Sequence, residues 1–118
     1  MKSQWLQYKN KEILFANYIS LDVEGLRAET SAVVAEVVKR PLNSVRLLSD
    51  AHGTIVSPAV LDIYKQVSTQ SGKYVRRTAL LGLRGTQRTF LDLIVRISGM
   101  KIRVFENEEE AKEWLISD

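Results

Sequence analysis

Strand-like and helix-like segments alternate along most of this 118-residue sequence. Short apolar runs at Val45 to Leu48, Thr78 to Leu83 and Ile102 to Phe105 are typical of buried strands. Between them, Pro58 to Ser71 and Thr86 to Ser98 repeat apolar residues at the spacing of a helix. Repeated strand–helix units favour a largely parallel sheet that is covered by helices and joined by right-handed crossovers.

The first third of the chain adds a hairpin and a helix to this pattern. Gln4 to Tyr8 and Glu12 to Ile19 both alternate apolar and polar residues, and the Lys9-Asn10-Lys11 segment between them predicts a tight turn. Asp22 then precedes a helical pattern that ends before Pro41.

The last segment predicts a well-capped helix, because Asn107 is a favourable N-cap and Glu110 stands three residues later as its capping-box partner. The complete order is β-β-α-β-α-β-α-β-α. It predicts a single domain over residues 1–118 with an α/β fold. We expect a mixed, mostly parallel five-stranded sheet, formed by an N-terminal hairpin and β-α repeats, with four helices.

The amino-acid composition limits the kinds of chemical site that the chain can form. The chain has no cysteine and one histidine, which excludes disulfides, thiol nucleophiles and the usual zinc ligand sets. We therefore expect no metal and no cofactor. No apolar run approaches the roughly 18 residues that span a bilayer, and the first residues lack the apolar core of a signal peptide, so the expected location is the cytoplasm.

Basic residues are concentrated in the second half of the chain. Nine of them lie from Lys65 to Arg103, against the single acid Asp92. Such segregation attracts anionic surfaces, but it does not identify the partner.

The predicted helix from Thr86 to Ser98 carries more apolar surface than burial on one side requires. Its apolar arc covers roughly 200°, wider than the 100° or so of a helix with one buried face. Leu91 and Val95 flank Arg88, so they predict an apolar strip edged by cations. The candidate binding surface comprises Arg76, Arg77, Arg84, Arg88, Leu91, Val95 and Arg96.

Three interpretations of this surface remain open. It suits a protein interface, with a second copy or with a regulatory partner, because arginine and apolar anchors are enriched in interfaces. It also suits an anionic membrane surface. In the third interpretation the helix is covered by its own domain, and Arg88, Asp92 and Arg96 form a solvated charge ladder. We expect no nucleic acid, since neither a helix-turn-helix nor an aromatic stacking platform is visible.

The loop after the third predicted strand is a second candidate, a binding loop that contains Asp50, His52 and Ser57. These are the residue types of a catalytic triad. A short loop rarely holds them in that geometry, and no nucleophile-elbow glycines flank the serine, so we expect no catalytic residue and no enzyme. Asp50 is predicted to accept backbone N–H groups in a turn, with Gly53 at positive φ. Ser57 is predicted to cap the helix that Pro58 begins.

Four stretches carry a resemblance to a known family. They are ILFANYISLDVEGL, LLSDAHG, YVRRTALLGLRGTQRTFL and IRVFENEEEAKEWL. Together they resemble the SpoIIAA-like family of small bacterial proteins, which is similar to STAS domains (sulfate transporter and anti-sigma factor antagonist) and more distantly to CRAL-TRIO lipid carriers. The resemblance implies a four-helix STAS-like fold without demonstrated enzymatic activity. It also implies a role in regulation, membrane association or binding of an apolar ligand.

The resemblance adds a second role for Ser57. In anti-sigma factor antagonists, the serine in the first turn of the corresponding helix is phosphorylated by the partner kinase. The family sequence there is Asp-Ser-Ser-Gly, whereas this chain has Val56-Ser57-Pro58-Ala59. Helix cap and phosphoacceptor therefore both stay open for Ser57.

The sequence patterns and the family resemblance together predict a non-enzymatic cytoplasmic module. We expect it to act by protein–protein contact, with a protein partner or as a homodimer. The alternative is peripheral association with the inner face of a membrane, with or without an apolar, lipid-like small molecule.

Overall fold

The computed structural model describes residues 2–55, 57–83, 89 and 102–118. Five strands, three α-helices and a 3-10 turn at Gly72–Tyr74 lie within these ranges. The strands are β1 (Gln4–Tyr8), β2 (Lys11–Asn17), β3 (Val45–Asp50), β4 (Val75–Leu81) and β5 (Ile102–Phe105). The helices are α1 (Val23–Val37), α2 (Pro58–Ser71) and α3 (Glu108–Leu115).

The prediction of four helices is met in part. α1, α2 and α3 correspond to three of the predicted helices. The other one, Thr86 to Ser98, lies outside the described residues except for Thr89. Of the helices within the described ranges, none is both long enough and apolar enough to cross a membrane.

The sheet is mixed and mostly parallel, as predicted. Its strands lie in the order β1-β2-β3-β4-β5, with β1 antiparallel to β2 and every other neighbouring pair parallel. Lys9 and Asn10 both have positive φ, which allows the hairpin to turn in two residues. Because β2 to β5 run in the same direction, their carboxyl ends form one edge of the sheet and their amino ends form the other.

Helices cover both faces of the sheet. α1 and α2 pack on one face, where Leu26 and Val60 are buried with Leu47. α3 packs on the other face, where Leu115 is buried with Leu48. The neighbouring residues Leu47 and Leu48 belong to different clusters because successive side chains of a strand point to opposite faces.

Each described helix begins at a side-chain cap. The cap oxygen accepts a backbone N–H that would otherwise have no partner within the helix. The three bonds join Asp22 to the Gly25 N–H at 2.7 Å, Ser57 to the Val60 N–H at 3.3 Å and Asn107 to the Glu110 N–H at 3.0 Å.

β4 differs from the sequence prediction at both ends. The apolar run predicts Thr78 to Leu83, whereas the strand is Val75–Leu81. It begins earlier because Val75 pairs with Val45 of β3. It ends earlier because Gly82 has a φ of 94°, which leaves the strand conformation.

Candidate functional site

Asp50 and His52 lie together at the carboxyl end of β3. His52 Nδ1 is 2.5 Å from Asp50 Oδ1, and the same oxygen accepts the His52 backbone N–H at 3.1 Å. Asp50 is buried, whereas His52 is half exposed. A carboxylate only accepts hydrogen bonds, so this geometry assigns the proton of the neutral imidazole to Nδ1 and leaves Nε2 as an acceptor. Within the described ranges, no group of three or more His, Cys, Asp or Glu residues is arranged to hold a metal ion.

Backbone hydrogen bonds fix this pair against the two neighbouring strands. The bonds run from Tyr18 N–H to Asp50 O (2.9 Å), from Ser20 N–H to His52 O (2.8 Å) and from Ala51 N–H to Leu81 O (2.9 Å). The ends of β2, β3 and β4 therefore form one rigid edge.

Two glycines allow the chain segments at this edge to approach closely. Gly53 has the predicted positive φ, at 75°, and Gly82 has a φ of 94°. A Cβ atom on Gly82 would lie 2.5 Å from the His52 backbone nitrogen. Only glycine therefore permits the chain after β4 to pass so close to the binding loop.

Ser57 acts as the cap of α2. Its Oγ accepts the Val60 N–H at 3.3 Å, and Pro58 is the first helical residue. Among the hydrogen bonds of the described residues, none joins Ser57 to His52. The three triad-type residues therefore form an acid–imidazole pair and a separate helix cap, and the phosphoacceptor role of Ser57 stays a prediction.

An exposed isoleucine stands out in the binding loop. The Ile55 side chain is 81% exposed. The preceding Thr54 donates its hydroxyl proton to Tyr18 O and accepts the Leu21 N–H at 3.2 Å. Ile55 thus extends from backbone that is tied to the loop between β2 and α1. Nothing in its sequence pattern singles it out, because exposure depends on the tertiary packing.

Of the candidate binding surface, the structure describes only Arg76 and Arg77. Arg84, Arg88, Leu91, Val95 and Arg96 lie outside the described residues. These five positions therefore remain predictions.

Arg76 and Arg77 lie near the amino end of β4, and both contact the end of the chain. Arg76 pairs with Asp118. Arg77 donates to the Trp114 carbonyl at 2.5 Å, and its guanidinium carbon lies 4.7 Å from the centre of the Trp114 ring. Both arginines therefore contact the last turn of α3 or the residues that follow it.

Arg46 also contacts the last residues of the chain, beside Arg76 and Arg77, and the sequence does not predict this contact. Its Nε donates to the Leu115 carbonyl at 2.9 Å, and its Nη2 lies 3.3 Å from Asp118 Oδ1. The register of the sheet places Arg46 beside Arg77. No local pattern around Arg46 indicates this contact, because it depends on strand pairing.

A groove of about 510 Å³ lies beside the β1–β2 hairpin and includes Trp5, Glu12 and Arg40 in its wall. The Arg40 guanidinium carbon lies 3.8 Å from the centre of the Trp5 ring, and its Nη1 is 2.5 Å from Glu12 Oε1. These wall groups satisfy each other, so they do not define a ligand.

Comparisons with known proteins agree with this architecture. A family model described as SpoIIAA-like matches residues 20–116. No curated protein matches the sequence. A solved structure of an uncharacterized protein from the DUF3478 family with a SpoIIAA-like fold, from Shewanella loihica PV-4, aligns with a TM-score of 0.73 and 14% identity, over 96% of this chain and 91% of that one. At this identity the likeness shows the fold alone. Because the family model matches most of its length, the chain belongs to the SpoIIAA-like family.

Proposed function

We propose that this chain is a non-enzymatic binding module that acts by protein–protein contact through the carboxyl edge of its sheet. Ile55 carries the proposal, because its side chain is 81% exposed. A large apolar side chain in water gains free energy when a partner covers it. Loops held by a rigid scaffold are also where binding residues concentrate.

The hydrogen bonds of Thr54, the residue before Ile55, support this proposal. Thr54 connects the binding loop to Tyr18 and Leu21 through its side chain. Because these hydrogen bonds already hold Thr54, less conformational entropy is lost there on binding, and more of the contact energy contributes to affinity.

His52 adds specificity to the proposed contact. Asp50 holds the imidazole through Nδ1, which leaves Nε2 as an acceptor for a donor of the partner. A partner that lacks this donor would leave a polar group unpaired, and that costs free energy in a covered interface. In this proposal Asp50 orients the imidazole, and neither residue takes part in a reaction.

Photocrosslinking tests the proposed contact. A photoreactive residue replaces Ile55 or, as a control, Leu42, which is 64% exposed and precedes the amino end of β3. We expect position 55 to crosslink in living cells to one defined protein, a second copy of the chain included, and position 42 not to do so. Equal labelling at both positions would contradict the proposal.

The identified partner is then purified, and its affinity is measured by calorimetry. We expect Ile55→Ser to weaken binding by about tenfold or more, as the loss of an apolar anchor does. Leu42→Ser should leave the affinity unchanged. Equal effects of both substitutions would count against a contact at the carboxyl edge.

The alternative, peripheral membrane association, depends on the segment from Thr86 to Ser98 and stays a prediction. Its test is co-sedimentation with anionic and with neutral vesicles, repeated with Arg88→Glu. Pelleting that requires anionic lipid and is lost in Arg88→Glu would favour the membrane over the protein partner.

A further inference from the structure

Three arginines converge at the amino edge of the sheet, opposite the binding loop. Arg46 is the second residue of β3, and Arg76 and Arg77 are the second and third residues of β4. The strand register shifts here, since Val45 pairs with Val75 but Arg46 pairs with Arg77. Arg76 is thus an extra residue in β4. Such a bulge redirects side chains relative to a regular strand.

All three guanidinium groups contact one carboxylate. Arg46 Nη2 is 3.3 Å from Asp118 Oδ1, and Arg77 Nε is 3.8 Å from Asp118 Oδ2. Arg76 Nε donates a hydrogen bond to the same Oδ2. The Asp118 side chain is 17% exposed and the Arg76 side chain is 37% exposed, so water reaches the contact only in part. Three cations gathered around one carboxylate leave an excess of positive charge.

The environment favours an anion at this position. Although partial burial favours protonation, hydrogen bonds from Arg76 and Arg46 and the charges of Arg76 and Arg77 lower the pKa of Asp118 from 3.8 to about 2. Three guanidinium groups also offer more N–H donors than a single carboxylate can accept. A phosphate dianion has more charge and more acceptor oxygens, and arginine clusters bind it well.

Two of the arginines are positioned independently of Asp118. Arg46 donates to the Leu115 carbonyl at 2.9 Å, and Arg77 donates to the Trp114 carbonyl at 2.5 Å. Both carbonyls belong to the last turn of α3, and the Trp114 carbonyl also accepts from the N–H and Oγ of Ser117 at 3.2 and 2.7 Å. Asp118 itself lies beyond the end of that helix at Leu115. Its side chain can therefore leave while Arg46 and Arg77 keep their positions.

We propose that Arg46, Arg76 and Arg77 form a binding site for a phosphate monoester or free phosphate, and that the Asp118 carboxylate occupies this site as a displaceable internal ligand. The site lies at the amino edge of the sheet, so it is separate from the contact proposed around Ile55. Phosphate binding would displace the Asp118 side chain from the arginines and so couple ligand concentration to the position of the residues after α3.

Calorimetric titration with inorganic phosphate at constant ionic strength tests the proposal. Asp118→Asn keeps the shape of the side chain but removes its charge, so we expect it to bind phosphate about tenfold more tightly than the unaltered chain. Adding Arg76→Gln to this variant should reverse the gain. Glu24→Gln removes one negative charge from an exposed position on α1 and should leave phosphate binding unchanged.

Equal phosphate affinity in Asp118→Asn and in the unaltered chain would overturn the proposal, and so would an Asp118→Asn gain that Glu24→Gln reproduces. The unaltered protein provides a second measurement that needs no stable variant. In NMR spectra, phosphate should shift the Asp118 amide and the Arg76 side-chain Nε resonance, whereas chloride at the same ionic strength should not. Equal shifts with both anions would also overturn it.

A vesicle experiment identifies the source of the phosphate group. Asp118→Asn is sedimented with phosphatidylcholine vesicles that contain or lack phosphatidic acid, whose headgroup is a phosphate monoester. Pelleting that depends on phosphatidic acid and on Arg76 assigns the site to a lipid headgroup. Binding of free phosphate without such pelleting assigns it to a soluble phosphate compound, and the absence of both contradicts the proposal.

Discussion

His52 Nδ1 lies 2.5 Å from Oδ1 of Asp50, and this oxygen also accepts the His52 backbone N–H at 3.1 Å. One buried carboxylate thus fixes both the backbone and the ring of a half-exposed histidine. The pair therefore defines which imidazole nitrogen carries the proton. This consequence can be measured on the protein alone.

The first prediction concerns the tautomer of His52. We expect its neutral ring to carry the proton on Nδ1, because the carboxylate can only accept. Nitrogen-15 NMR chemical shifts of the ring report the tautomer directly. In Asp50→Ala the preference should disappear, and the His52 amide should exchange faster with solvent. Asp62→Ala, an exposed acid on α2, is the control and should change neither signal.

The second prediction compares two glycines. Alanine at either Gly53 or Gly82 meets backbone strain, because both have positive φ. At Gly53 the nearest neighbour is the rotatable Ser20 hydroxyl, whereas at Gly82 it is the His52 backbone. Urea denaturation should therefore show that Gly82→Ala costs at least about 2 kcal/mol more than Gly53→Ala. Similar costs would mean that the chain after β4 can move away from the binding loop.

The third prediction tests the cap of α2. Ser57→Ala removes the acceptor of the Val60 N–H, so the free energy of unfolding should fall by about 1 kcal/mol. Ser57→Asp replaces it with another good cap and should be nearly neutral. Chemical denaturation of both variants provides the comparison. If both lose the same stability, the side chain does not act as a cap.

The fourth prediction follows from the lowered pKa of Asp118. Asp118→Asn should reduce the free energy of unfolding at neutral pH by about 1 kcal/mol, a modest value because solvent screens the pair. The pKa of Asp118 is lowered from 3.8 to about 2, so its contribution is complete above pH 4 and is lost as the pH falls toward 2. Denaturation curves of both proteins should therefore converge at acidic pH. A difference that does not depend on pH would exclude the ion pairs as its cause.

The ends of several helices agree closely with the sequence prediction, because the residues that mark them act locally. Ser57 and Pro58 mark the beginning of α2, and Gly72 follows its last residue. Asn107 marks the beginning of α3 in the same way. These signals act through backbone dihedral angles and hydrogen bonds within one turn, so they are readable without the fold.

The candidate functional site likewise has local features that the sequence predicts and long-range features that it does not. The turn that Asp50 closes and the positive φ of Gly53 were predictable, since both involve residues close in sequence. The exposure of Ile55 was not, because burial depends on which distant segments cover a side chain. The sequence places Arg76 and Arg77 in a candidate binding surface, but it does not predict their contacts with Trp114 and Asp118.

Apolar periodicity and capping residues alone determined the order of the described strands and helices, since these effects operate over a few neighbouring residues. Strand pairing and the packing of α3 decided which distant residues came into contact. Arg46 meets Asp118 across 72 residues of chain, and neither residue carries a local sign of the other. Such a contact exists only after the sheet has aligned β3 with β4 and buried Leu115 against it.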